Sequence, residues 1–380
     1  MRMLMAALAS TALLVALPAV ASRAEEDGFV KFLRSVSVGA YVDTAYEYNF
    51  NNPKSGQNQF RSLDPDHNEF EIHLFQLSLH KDPTLDEGPG GYVGFGVKLD
   101  FGEDADRIHA AGLGVSDDSF DLEEAYISLL LPWGNGLSIT AGKFVTLAGY
   151  EVIEAKDNPN ASRSLLFGLA IPFTHTGVRV SYPVGAVTLT LGLNNGWDVV
   201  DDNNDGKTIE TQVAVELDRA SFYLTGYFGP EADGVDGDWR ELITFVGTVE
   251  VAPPFSVGFD LDFGWEQDVN VAPGVEENAF WWGLAGYLIY DVSPRLSLAL
   301  RAEVFDDSDG FRTGTDQTMW EVTPTVSVKP FADRPGLDNL ELRLEYRHDQ
   351  SDEDVFEKDD GSLTDTQDTL TVQLLYWFAT

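Results

Sequence analysis

The chain has 380 residues, of which 63 are Asp or Glu and only 24 are Lys or Arg, so its formal charge is -39. That balance argues against nucleic acid, whose phosphates need clustered cations, and the absence of cysteine excludes thiolate metal sites, cysteine nucleophiles and a disulfide framework. Hydrophobic residues at 43% and aromatics at 12% exclude a solvated acidic coil, and 35 Gly, 24 Phe, 13 Tyr and 8 Trp favour extended structure with frequent turns.

At the N-terminus, Met1-Arg2-Met3 precedes an apolar stretch from Leu4 to Leu17 and then Pro18-Ala19-Val20-Ala21-Ser22. This is the pattern of a secretory signal peptide over residues 1–21, cut after Ala21, with Ala24 as a second candidate. The stretch is shorter than the roughly 20 residues of a membrane-spanning helix, and the longest later apolar run, Leu165 to Phe173, is interrupted by Gly and Pro. Residues 22–34 are expected to form a short periplasmic segment with one or two amphipathic helical turns, and residues 35–380 a single domain.

From there the chain alternates with period two. In Leu340-Glu341-Leu342-Arg343-Leu344-Glu345-Tyr346-Arg347 every even position is apolar and every odd one charged. One face seeks hydrocarbon and the other water. The same alternation runs through Val187 to Asn194, Phe255 to Phe263 and Leu296 to Val304. A soluble sandwich would also alternate, so segment length and connections decide. About 16 segments, each near the ten residues of a tilted membrane strand, start around Val36, Phe70, Tyr92, Phe120, Leu137, Thr174, Val187, Ile209, Phe222, Leu242, Phe255, Ala279, Leu296, Met319, Leu340 and Thr369. Short connections, such as Tyr182 to Gly185, Leu217 to Ala220, Val251 to Pro254 and Val292 to Arg295, alternate with long ones: Asn51 to Asn68, Glu103 to Ser119, Ala148 to Phe173, Asn195 to Thr208, Glu266 to Asn278 and Gln350 to Asp365. The expectation is an all-β, closed antiparallel transmembrane barrel with short periplasmic turns and long extracellular loops. Tyr46, Tyr48, Trp133, Tyr182, Tyr227, Phe228, Trp281, Trp282, Tyr287, Tyr290 and Tyr376 to Phe378 fall near the segment ends, where interfacial girdles lie.

Particular stretches carry a family resemblance. Gly39-Ala40-Tyr41-Val42-Asp43-Thr44-Ala45-Tyr46, Gly142-Lys143-Phe144-Val145-Thr146, Gly149-Tyr150-Glu151-Val152-Ile153-Glu154, Asn158 to Ser164 and Ile171 to Arg179 resemble the OmpL-like beta-barrel porin family. The resemblance implies an outer-membrane pore exported through the periplasm, without fixing its solute. Outer-membrane lipid and small hydrophilic solutes are the expected partners, with a homotrimer as a candidate assembly.

Ala148 to Phe173 is the third long loop. By similarity to general porins it is expected to fold into the lumen, with Glu151, Glu154, Lys156, Asp157 and Arg163 at a constriction and its apolar half, Leu165 to Ile171, against the barrel wall; a surface lid is the alternative. Inward positions Lys98, Arg179, Arg301, Arg343 and Arg347 supply opposing cations for a transverse field, although ion pairs such as Arg301 with Glu303 and Arg343 with Glu345 explain the same residues. Asp201, Asn203 and Asp205, followed by Gly206, match the front half of a calcium loop, but position twelve is Gln212 rather than the bidentate Glu. His67, His73, His80, His109, His175 and His348 show no metal spacing, and His175 has neither a serine motif nor paired carboxylates beside it. No catalytic set is assigned. The expected function is passive diffusion with mild cation preference; the alternatives are a structural or adhesive barrel with a plugged lumen and, further off, a barrel enzyme. Extraction is expected to recover the protein in the outer-membrane fraction, heat-modifiable on gels and dominated by β circular dichroism; a soluble, helix-rich periplasmic species would contradict this reading.

Overall fold

A computed structural model describes residues 28–114, 119–272 and 275–380; the signal-peptide segment 1–21 lies outside them. Before the barrel stands a short helix, α1, Gly28–Arg34, with Lys31 and Arg34 in its last turn, where cations complement the helix dipole. It closes with the Ser35 N–H on the Lys31 and Phe32 carbonyls.

From Ser37 onward the chain is built of strands: β1 Ser37–Asn49, β2 Glu69–Lys81, β3 Val93–Phe101, β4 Phe120–Leu131, β5 Leu137–Val145, β6 Thr174–Val184, β7 Val187–Asn194, β8 Thr208–Leu217 and β9 Ala220–Pro230. They continue with β10 Trp239–Ala252, β11 Phe255–Ala272, β12 Val275–Ser293, β13 Leu296–Asp307, β14 Gln317–Val328 and β15 Leu340–Ser351. A small loop ribbon, β16 Phe356–Glu357 with β17 Leu363–Thr364, precedes the last strand, β18 Thr366–Ala379. A second short helix, α2 Glu103–Arg107, lies in the loop after β3.

Among the described residues, sixteen strands pair in chain order and β18 closes on β1, with Asp43 opposite Leu375 and Gly39 opposite Ala379. Closure is obligatory in hydrocarbon, where an unpaired strand edge finds no hydrogen-bond partner. Alternation then sorts the side chains. In β15, Glu341, Arg343, Glu345 and Arg347 are buried inside, whereas Leu342, Leu344 and Tyr346 are 45%, 51% and 42% exposed on the outer face. The interior is polar and the exterior apolar, the inverse of a soluble core.

Two expectations need correction. The segment Glu266 to Asn278 is not a free loop: β11 and β12 continue pairing to Ala272 and Val275, with register shifts after Glu266 and Asn270. Bulges absorb the break in alternation there, so the ladder outlasts the period-two signal. Second, Tyr227, Trp281 and Tyr287 do not belong to the interfacial girdle; they are fully buried inside the barrel. Their strand neighbours Phe228, Trp282 and Leu288 take the alternate face. Gly264, paired with Trp281, makes room for the inward indole, since a Cβ there would come within 2.0 Å of the ring.

This register predicts opposite outcomes for adjacent residues. Leu342→Arg should cost about 2 to 4 kcal/mol near the bilayer midplane, measured by denaturant unfolding of the folded barrel in lipid vesicles. Arg343→Leu should still give a heat-modifiable barrel, with altered conductance.

Candidate functional site

The lumen is organised by loop 3, residues 146–173, which enters it and is bonded to the inner wall of β11, β13, β14 and β15. A loop drawn into a barrel must still satisfy its peptide groups, and inward side chains do this. Glu303 accepts the N–H groups of Leu165 and Leu166 at 2.6 and 3.2 Å, and Glu345 those of Ala161 and Ser162 at 2.6 and 2.8 Å. Asp260 accepts the Tyr150 N–H at 2.8 Å. The guanidinium groups treat the carbonyls correspondingly. Arg301 donates to Ser162 O at 2.7 Å, Arg343 to Ala155 O and Asn160 O at 2.9 Å each, and Arg347 to Arg163 O at 2.5 Å.

The apolar half of the loop rests on the inward aromatics. Leu165, Leu166, Phe167, Ala170 and Ile171 pack with Tyr227, Trp281, Tyr287, Phe305 and Met319. Trp281 Nε1 donates to Ala170 O at 3.2 Å, and Tyr150 stacks on Tyr287 with centroids 4.0 Å apart. At the loop's end Asp198 accepts the N–H groups of Phe173 and Thr174; burial pushes its carboxyl up to about 6.

Each charged residue expected in loop 3 has a defined place. Glu151 lies wholly buried against Arg301 at 2.8 Å and also accepts the Ser164 N–H. Glu154 meets Lys98 at 2.5 Å, and Lys98 also reaches Glu123 at 3.0 Å. Burial opposes the charge on Glu154, but Lys98 overrides this and holds its carboxyl below the ordinary range. Lys156 pairs with its neighbour Asp157 and lies 5.9 Å from the centre of the Tyr41 ring. Arg163 donates to the Val152, Ile153 and Ala161 carbonyls of its own loop.

Of the two expectations for the basic ladder, a transverse field and ion pairs, the contacts present are ion pairs, but with other partners. Arg301 contacts Glu321 and Glu151 rather than Glu303, Arg343 contacts Glu341 rather than Glu345, and Arg347 contacts Asp349. Arg179 grips Glu210 through two bonds and lies 4.1 Å from the centre of the Phe144 ring. Loop 3 packs directly on Arg301, Arg343 and Arg347. The stretch read as the front half of a calcium loop is held by bonds of its own. Asn203 directs its amide to Glu231 O and Asp233, the Asp205 N–H goes to Asp236, and Lys207 covers Asp202. Among the described residues no three His, Cys, Asp or Glu side chains are arranged to hold a metal. His175 is a structural group, buried between Gly196 O and Thr146 Oγ1 and stacked on Tyr227.

Free volume remains beside loop 3. A cavity of about 780 Å³ lies beneath it, lined by Tyr41, Gln76, Lys98, Tyr150, Glu154 and Trp377 among others. A second, of about 530 Å³, is lined by Asn158, Asp291, Lys329 and Arg343. Between loop 3 and the wall of β1, β2 and β18 lies a separate small space of about 10 Å³, lined by Asp43, Glu47, Asp64, His73, Asp104 and Arg163. Sequence patterning missed these wall acids because Asp43 and Glu47 read as ordinary polar positions of an alternating strand.

A closed sixteen-stranded barrel, apolar outside, polar inside and carrying a loop in its lumen, is the architecture of an outer-membrane porin. Residues 35–378 match the family model described as "Putative beta-barrel porin-2, OmpL-like", and the chain belongs to that family. Solved structures share the fold at low identity. An anion-selective porin from Comamonas acidovorans is 13% identical, with a TM-score of 0.59 over 90% of this chain and 99% of that one. The outer membrane channel DcaP of Acinetobacter baumannii is 13% identical, with a TM-score of 0.57 over 90% and 97%. The trimer form of OmpT from Vibrio cholerae is 12% identical, with a TM-score of 0.56 over 90% and 99%. No curated protein matches the sequence. The protein is thus a porin-like transport barrel of the bacterial outer membrane.

Arg301 is the anchor whose loss should be felt most. Arg301→Met leaves Glu151 and Glu321 buried without their cation, at a cost of about 3 to 5 kcal/mol, and adding Glu151→Gln should recover part of it. Denaturant unfolding measures the cost, and protease cleavage within residues 146–173 reports release of the loop.

Proposed function

We propose that the protein is a passive pore through which small hydrophilic solutes diffuse down their own gradients, with mild cation preference, and that Glu151, Glu154, Lys156, Asp157 and Arg163 of loop 3 form one side of its waist. The observation that carries this reading is the open vestibule of about 780 Å³ beneath a loop bonded to one side of the lumen. Glu154, Lys156 and Asp157 line that vestibule together with Lys98. The remaining lumenal charges, Arg179, Arg301, Glu303, Arg343, Glu345 and Arg347, act as anchors and wall rather than as contacts for the solute.

Cation preference follows from which charges are left over. The guanidinium groups of the ladder are engaged by carboxylates and loop carbonyls, so they offer little to a passing anion. Acids in external loops, such as Asp201 and Asp354, are separated from the waist by screening over about 8 Å at physiological salt and act mainly at low ionic strength. The trimer form of OmpT supports a homotrimer as the assembly.

A sealed structural barrel is the second reading, favoured by the small space, about 10 Å³, left between loop 3 and the wall of β1, β2 and β18. Planar-bilayer recordings distinguish the two. Stepwise single-channel currents, with a reversal potential shifted toward cations that weakens as salt rises, are expected for the pore; membranes that stay silent after verified insertion would select the sealed barrel.

A further inference from the structure

We infer that the waist carries a selectivity filter for small monovalent cations, formed by Asp43, Asp64 and Asp104 on the wall opposite the arginine ladder; the inference rests on the pore reading above and narrows its solute. The inward row of β1 borders both spaces. Gly39 and Tyr41 line the vestibule, and the next inward residues, Asp43, Ala45 and Glu47, line the small space directly along the same strand. A solute leaving the vestibule along β1 therefore meets Asp43 first.

The passage gathers acids from separate elements. Asp43 and Glu47 come from β1, Asp64 from the loop after β1, and Asp104 from α2. Arg61, Arg163 and His73 face these acids and offset part of their charge. Arg163 points its N–H groups at its own loop's carbonyls, Arg61 lies 2.8 Å from Asp64 Oδ2, and His73 Nδ1 is 3.5 Å from Asp104 Oδ1.

Several oxygens are nonetheless left over. Tyr41 Oη and Gln373 Nε2 each donate to Asp43 Oδ2 at 3.0 Å, while Asp43 Oδ1 has no hydrogen-bond partner; the same holds for Asp64 Oδ1 and Gln373 Oε1. These side chains are 2%, 6% and 3% exposed. Buried carboxylate oxygens without donors call for a cation or water. The space of about 10 Å³ admits about one water-sized body, which suits a partly dehydrated monovalent cation and excludes a sugar. The chelating geometry of a tight metal site is absent among the described residues, as transit requires, because an ion must leave as readily as it enters.

The test uses the full barrel in planar bilayers and liposomes, with KCl gradients and glucose as probes. Wild-type protein should pass K⁺ in preference to Cl⁻ and should not pass glucose in a swelling assay. Asp43→Asn and, separately, Asp104→Asn should lower the K⁺ to Cl⁻ permeability ratio by about threefold or more, while Asp201→Asn in an external loop should leave it unchanged at high salt. Unchanged ratios in both filter variants, or glucose entry through wild-type protein, would overturn the filter while leaving the pore intact. Absence of conductance in wild-type protein would overturn both.

Discussion

Hydrocarbon offers no hydrogen bonds, and the fold answers that single constraint. Every strand backbone must find a neighbour, so the sheet closes through β1 and β18. Closure then divides the side chains by their period of two. Apolar residues face lipid, and the polar ones, including a large share of the charge, are confined to one lumen.

That confinement creates the second problem, which loop 3 addresses. Charged side chains packed on a closed wall repel or remain unpaired unless something of matching polarity enters. A peptide loop supplies both N–H and C=O groups, and the alternating acids and arginines of β13 and β15 take up each kind. The wall treats the loop much as a neighbouring strand would, but through side chains. Inward Tyr227, Trp281 and Tyr287 complete the arrangement by giving the apolar half of the loop a surface to pack on.

The functional consequence is asymmetry. The arginine wall is covered by the loop, and a small space of about 10 Å³ remains against the wall of β1 and β2. An arginine ladder read as a field source in the sequence becomes a set of anchors in the structure.

The class of fold was legible in the sequence because period-two alternation is a local property of each strand, and ten-residue segments with alternating short and long connections have few closed solutions. Strand starts at Phe120, Leu137, Thr174, Val187, Phe255, Leu296 and Leu340 were therefore readable from the chain alone. So was the inward face: Arg301, Arg343 and Arg347 lie inside, as their registers require. Partners were not legible. Glu151 reaches Arg301, and Arg343 reaches Ala155 and Asn160, across well over a hundred residues of chain, and only the curvature of the closed sheet brings them together. The same holds for Trp281, whose inward turn depended on register at a bulged strand end, and for Asp43, Asp64 and Asp104, which become neighbours only once two loops and a strand converge. Local periodicity determines which way a side chain faces; tertiary closure decides what it meets.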